Sequence, residues 1–219
     1  MLPAAASAAE TIGQTAPPSS CTAGEAYTQG VLTSGTSYSP SAPGVITSWS
    51  SFAGSLANTQ IELLVLKPNP SAGATHFIAT QRDQVRSLAQ PSALNTFSGV
   101  RLPIEAGDRI GMFLPSIPGA GCFFNVGGAD TGLFYGGDPP LNVDSDFTGS
   151  NSSRRLNASA VVEPDADHDG FGDETQDACP SSAAAQGACP AAHKKRCKKH
   201  KKKHRDAQAA KKKTCKKKR

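Results

Sequence analysis

From Tyr27 to Val162 the chain runs in short bursts of β-branched and aromatic residues, nearly every one closed by Gly or Pro: "GVITSWSSF", "TQIELLVLKP", "THFIATQ", "NTFSGVRLPI", "DRIGMFL", "CFFNV" and "NASAVVEP". Each burst is too short for a good helix. Their spacing between turn signals predicts an all-β domain over residues 26–162, an antiparallel β-sandwich of jelly-roll type. In "QIELLVLKP", Ile61, Leu63 and Val65 alternate with Glu62, Leu64 and Leu66. Both faces are therefore apolar for part of the length, which marks a central strand. "IEAGDRIG" reads as a hairpin or a corner, with Gly107 free to take positive φ and Asp108 able to bond its own turn. Trp49, the only tryptophan, could stack on a carbohydrate, but on a strand a tryptophan is more often a core residue. Residues 1–25 are rich in Pro, Ala and Ser and read as an extended lead-in.

The β-rich stretch carries little catalytic chemistry. Its one histidine, His76, sits in a strand burst, and there is no nucleophile elbow, no H-E-x-x-H and no phosphate-cradling glycine loop. The expectation is a protein that is not an enzyme. Asn151 and Asn157 match the glycosylation acceptor pattern, a short and weak signal.

Charge is segregated. Residues 1–192 hold 7 Lys or Arg against 17 Asp or Glu, a net −10, whereas residues 193–219 hold 16 against 1, a net +15. An acidic body and a basic tail can address different partners. No run approaches the ~18 apolar residues of a membrane span, so no transmembrane segment is expected. Ala6-Ser7-Ala8 has the small-x-small form of a signal-peptide cleavage site, which suggests the end of a leader whose beginning lies upstream. The six cysteines, Cys21, Cys122, Cys179, Cys189, Cys197 and Cys215, include no C-x-x-C pair. An even set without metal spacing fits disulfides in an oxidising compartment. Cys21 and Cys122, the only two before the acidic loop, would clip the lead-in to "CFFNV".

The segment 163–190 contains "DADHDGFGDETQD", six acids in thirteen residues. Like charges so close in sequence open a chain unless a cation gathers them. Asp165, Asp167 and Asp169 stand at positions 1, 3 and 5, Gly170 at 6, Phe171 at 7 and Asp173 at 9, the order in which a calcium loop presents its oxygens. An EF-hand would place Glu at position 12. Here Gln176 occupies it, Asp177 follows, and then come Cys179 and Pro180. The pattern D-x-D-x-D-G-x-G-D-x-x-x-D-x-C-P resembles a thrombospondin type 3 repeat over about 16 residues. That resemblance implies side-chain ligands from Asp165, Asp167, Asp169, Asp173 and Asp177, the Phe171 carbonyl as a further ligand, Ca2+ as the ion, and a disulfide from Cys179, with Cys189 as its partner. Extracellular modules of this kind bind calcium at about 0.1–1 mM. The whole layout also resembles uncharacterised secreted or surface proteins of bacteria.

The tail, residues 191–219, is a solvated polycation with almost nothing apolar to bury, and is expected to be disordered. Its expected partners are polyanions: an anionic cell-wall polymer, a membrane surface or extracellular nucleic acid, bound with steep salt dependence. It lacks aromatic interleaving, so base stacking is not implied. His193, Cys197, His200 and His204 have helical spacing, but the intervening lysines oppose a zinc ion, and Cys197 and Cys215 are read as bridging each other or a second chain. The expectation is a secreted, extracellular and surface-associated calcium-binding protein of adhesion type. The alternative is a carbohydrate-binding module with a polysaccharide on the β domain.

Overall fold

In a computed structural model of the full chain, residues 8–115 and 121–190 are described. Fifteen strands follow in order. The first five are β1 (Glu10–Gln14), β2 (Ser19–Ser20), β3 (Ala26–Gln29), β4 (Gly44–Phe52) and β5 (Thr59–Pro68). Then come β6 (His76–Arg82), β7 (Arg86–Leu88), β8 (Leu94–Ile104), β9 (Arg109–Phe113) and β10 (Gly121–Asn125). The last are β11 (Thr131–Tyr135), β12 (Asp144–Asp146), β13 (Gly149–Ser152), β14 (Arg154–Leu156) and β15 (Ala158–Glu163). The described residues contain no helix, and all strand pairs are antiparallel. The curled sheets face one another in a sandwich-like arrangement, the all-β class expected.

One sheet has the order β1-β15-β4-β8, a second β14-β10-β2, and the largest β12-β6-β5-β9-β3-β11-β13 with β7 on the flank of β5. The main core lies between them. Ile12, Ile46, Trp49, Leu102, Ala160 and Val162 of the four-stranded sheet meet Ile61, Leu63, Val65, Ile110 and Met112 of the large one. β5 is an inner strand, and its other face, Leu64 and Leu66, fills a second core with Phe77, Ala79, Phe113 and Phe147. Two cores explain why that strand reads apolar on both faces. "IEAGDRIG" proves to be a corner, since β8 and β9 lie in different sheets.

The stretch read as a lead-in is extended, and two pieces of it are paired. β1 runs against β15 from Glu10↔Val162 to Gln14↔Ala158 and buries Ile12, while β2 pairs with β10. Cys21 is joined to Cys122 across 101 residues, and Cys179 to Cys189 across 10. The compact unit continues through Cys189, so the acidic segment belongs to the same unit as the strands. Ala6-Ser7 of the cleavage signature and the whole tail, with His193, Cys197, His200, His204 and Cys215, lie outside the described residues.

Candidate metal centre

β15 ends at Glu163, and the acidic segment turns back from there over the end of the four-stranded sheet. Glu163 is the anchor. Its carboxylate accepts from the Thr47 hydroxyl at 2.8 Å, the Thr175 hydroxyl at 2.7 Å, and the amides of Glu174 and Thr175 at 3.0 and 2.8 Å. Burial pushes this carboxyl up, but the hydroxyls of Thr175 and Thr47 and the two amides outweigh it, and its pKa falls below the ordinary glutamate value. Thr47 reaches it because both neighbouring ladders shift register between Ile46 and Ser48, and a bulge of this kind re-aims a side chain. Gly172 packs against the same carboxylate: a Cβ there would lie 2.5 Å from Glu163 Oε2 and 2.6 Å from Thr47 Cγ2.

Within the loop, Asp165, Asp167 and Asp169 each bring a carboxylate oxygen to within 4.8 Å of the others. Gly170, at the position expected to turn, has φ +81°. Asp165 accepts from the amides of Asp169 and Gly170 at 3.0 and 2.9 Å. Asp169 accepts from the Phe171 amide at 2.9 Å and from the Gln186 side chain at 2.9 Å. Both oxygens of Asp167 are buried and have no hydrogen-bond partner among the described residues. Two carboxylates at such a distance repel by about 3 kcal/mol at an effective dielectric of ~20, and none of the hydrogen bonds formed by the three brings a cation to the cluster. The donor set, all oxygen with orphaned buried acceptors, fits a hard divalent cation.

Asp173 and Asp177 lie outside the tight cluster but close to it. Asp173 accepts from the Ala166 amide, folding the far side of the loop back onto its start. Burial first, then the charges of Asp165, Asp167 and Asp177, push its carboxyl up. Asp177 is 4% exposed; its Oδ1 accepts from the Cys179 amide, and its Oδ2 is buried without a partner among the described residues. The Phe171 ring lies 4.1 Å from the Arg101 guanidinium of β8, a cation–π contact.

Sequence reasoning missed the contacts that seat the loop. Gln176, which departs from the EF-hand pattern, donates to the Val100 carbonyl of edge strand β8 at 2.7 Å and accepts from Gly172. Glu174 accepts from the Ala9 amide beside β1 at 2.7 Å. The loop thus touches both edges of one sheet. Arg101, Glu163 and Gln176 carry no local motif, so only the fold identifies them.

Elsewhere, Trp49 is 1% exposed, lies 4.5 Å from Phe97 and donates its indole N–H to Asp83 at 2.8 Å, so it offers no platform. Asn157 is buried and donates its amide to the carbonyls of Phe52 and Gly121, which leaves it unavailable to a glycan in the folded chain. His76 stands at the start of β6 with Nδ1 2.6 Å from Asp144 and Nε2 3.5 Å from Asp146, both on edge strand β12. No helix among the described residues is long and apolar enough to cross a membrane. Comparison with known proteins returns no match to a family model, a curated protein or a solved structure.

Proposed function

We propose that this is a secreted, non-enzymatic calcium-binding surface protein of adhesion type, in which one Ca2+ is held at the loop Asp165–Asp177 and the basic tail anchors the molecule to an anionic polymer. The observation that carries the calcium reading is the pair of orphaned carboxylates. Asp167 presents two buried unpartnered oxygens beside Asp165 and Asp169, and Asp177 presents a third from a side chain that is 4% exposed. Leaving such groups without a partner costs roughly 1–3 kcal/mol each, more when charged. A divalent ion would supply the missing positive charge, and Asp165, Asp167, Asp169 and Asp177 are the residues to hold it, with Asp173 and the Phe171 carbonyl completing the set that the thrombospondin type 3 resemblance implies. Disulfides between Cys21 and Cys122 and between Cys179 and Cys189 support an oxidising, extracellular setting.

Isothermal titration of the full chain with calcium should show one site, in the ~0.1–1 mM range of extracellular modules. Magnesium should compete poorly, because it prefers a smaller octahedral shell and gives up water reluctantly. Unchanged calcium binding in Asp167→Asn and Asp169→Ala would refute the assignment. For the tail, a truncation after Ala192 should abolish binding to a polyanion such as heparin, and the affinity of the full chain should fall linearly with salt on logarithmic axes. Retained affinity in the truncation would place the contact on the β domain instead.

A further inference from the structure

A cleft far from the acidic loop opens where the turn between β2 and β3 meets β10, β11, β13 and β14. Its volume is about 220 Å³, under the ~300 Å³ at which pockets for drug-sized ligands begin. A half-open space of that size suits one small ring rather than an extended ligand. We propose that this cleft binds a single neutral sugar ring of the pyranose class.

The wall is aromatic. Tyr27 meets Phe123 edge to face at 5.4 Å and Phe134 at 6.3 Å, and Phe134 is only half-buried at the opening. Tyr27 and Phe123 are 2% and 3% exposed and back the wall from within, so Phe134 is the ring that can take the apolar C–H face of a sugar. The rim carries three planar polar groups, the Glu25 carboxylate, the Asn151 amide and the Arg154 guanidinium. Each has hydrogen-bonding capacity left. Asn151 makes no side-chain hydrogen bond among the described residues, Glu25 uses only Oε2, on the Tyr27 hydroxyl at 2.6 Å, and Arg154 uses only Nη1, on Ser19. Carboxylate, amide and guanidinium each present two polar atoms in one plane, the geometry that spans neighbouring hydroxyls. One carboxylate beside one guanidinium leaves the rim without net charge, which favours a neutral polyol over an anion or a cation.

The cleft is also held in shape before any ligand arrives. Cys21 at its edge is covalently tied to Cys122, and the Thr22 amide donates to the Tyr27 hydroxyl at 3.0 Å. Preorganisation of this sort lowers the ordering cost of binding. A free amino acid, with one charge of each sign, is the competing small ligand for such a rim, and the test includes it.

The experiment is saturation-transfer NMR on the full chain, produced in a host that does not glycosylate Asn151. The probes are the methyl glycosides of glucose, galactose, mannose and N-acetylglucosamine, with glycine and glutamate as controls. At least one glycoside should receive saturation on its ring protons, with a dissociation constant in the millimolar range. Asn151→Ala should weaken it about tenfold, the loss of roughly one hydrogen bond, and Phe134→Leu should do the same. The Asn151 side chain makes no hydrogen bond among the described residues and its backbone pairing with Gly132 survives the substitution, so its variant should keep the thermal midpoint and the calcium titration of the parent. EDTA should leave the sugar signal unchanged, which separates this site from the metal loop. No transfer to any of the four glycosides, equal transfer in parent and Asn151→Ala, or transfer to the amino acids alone would overturn the proposal.

Discussion

Glu163 accepts four hydrogen bonds from the loop and the β4 bulge while almost fully buried, and hydrogen bonds to a charged group are worth about 1.5–3 kcal/mol each. Glu163→Gln keeps the shape but turns a donor toward donors, so it should lower stability by about 2–3 kcal/mol, read from the urea midpoint. The variant Glu25→Gln, at the rim of the cleft, should leave that midpoint nearly unmoved. His76 offers a pH test. Its hydrogen bond to Asp144 raises the imidazole pKa, burial opposes, and the charge of Asp146 adds to the rise. The raised value means that its contribution is fully present below the unfolded pKa of about 6.5 and is lost as pH climbs through the folded value. NMR titration should therefore place His76 above about 6.5, Asp144→Asn should bring it back, and amide exchange in β12 should quicken beyond the intrinsic base-catalysed rise once His76 loses its proton. At this scale the spacing of Asp165, Asp167 and Asp169 was readable because the ligands are neighbours in sequence. Glu163 was not, because a glutamate at the end of a strand looks like any solvated acid until the fold brings Thr47 and Thr175 to it.

Among the elements, those with several β-branched or aromatic residues in succession were legible: β4 and β5 match the bursts "GVITSWSSF" and "TQIELLVLKP" to the residue. β1, β3 and β11 were not. "ETIGQ" has one large apolar residue, and it forms a strand because β15 supplies the ladder and the core takes Ile12. Tertiary pairing of this kind overrides weak local preference. The consequence is testable at Ile12, where Ile12→Ala should cost about 2–5 kcal/mol by urea unfolding. A solvated lead-in would show no change. The same result should appear as faster amide exchange along Glu10–Gln14.

For the molecule as a whole, the longer of the two disulfides among the described residues is the stronger covalent restraint. Closing the 101-residue separation between Cys21 and Cys122 restricts the unfolded chain by about 4–5 kcal/mol in the chain-entropy model, against about 2–3 for the 10-residue closure of Cys179 and Cys189. The double replacement Cys21→Ser with Cys122→Ser should lower the thermal midpoint by more than Cys179→Ser with Cys189→Ser. Only the latter should weaken calcium binding, because Cys179 follows Asp177 directly in the loop's hydrogen bonding. The pairing of β1 with β15 also sets how the protein would respond to load. Glu10 and Val162 face each other where β1 begins and β15 nears its end, so a pull between those points peels the ladder open one rung at a time instead of shearing all its rungs together. An antiparallel pair loaded this way yields at low force, and the tear would run inward until it met Cys21. There the bridge to Cys122 takes the strain, and the strands between the two cysteines are spared from stretching.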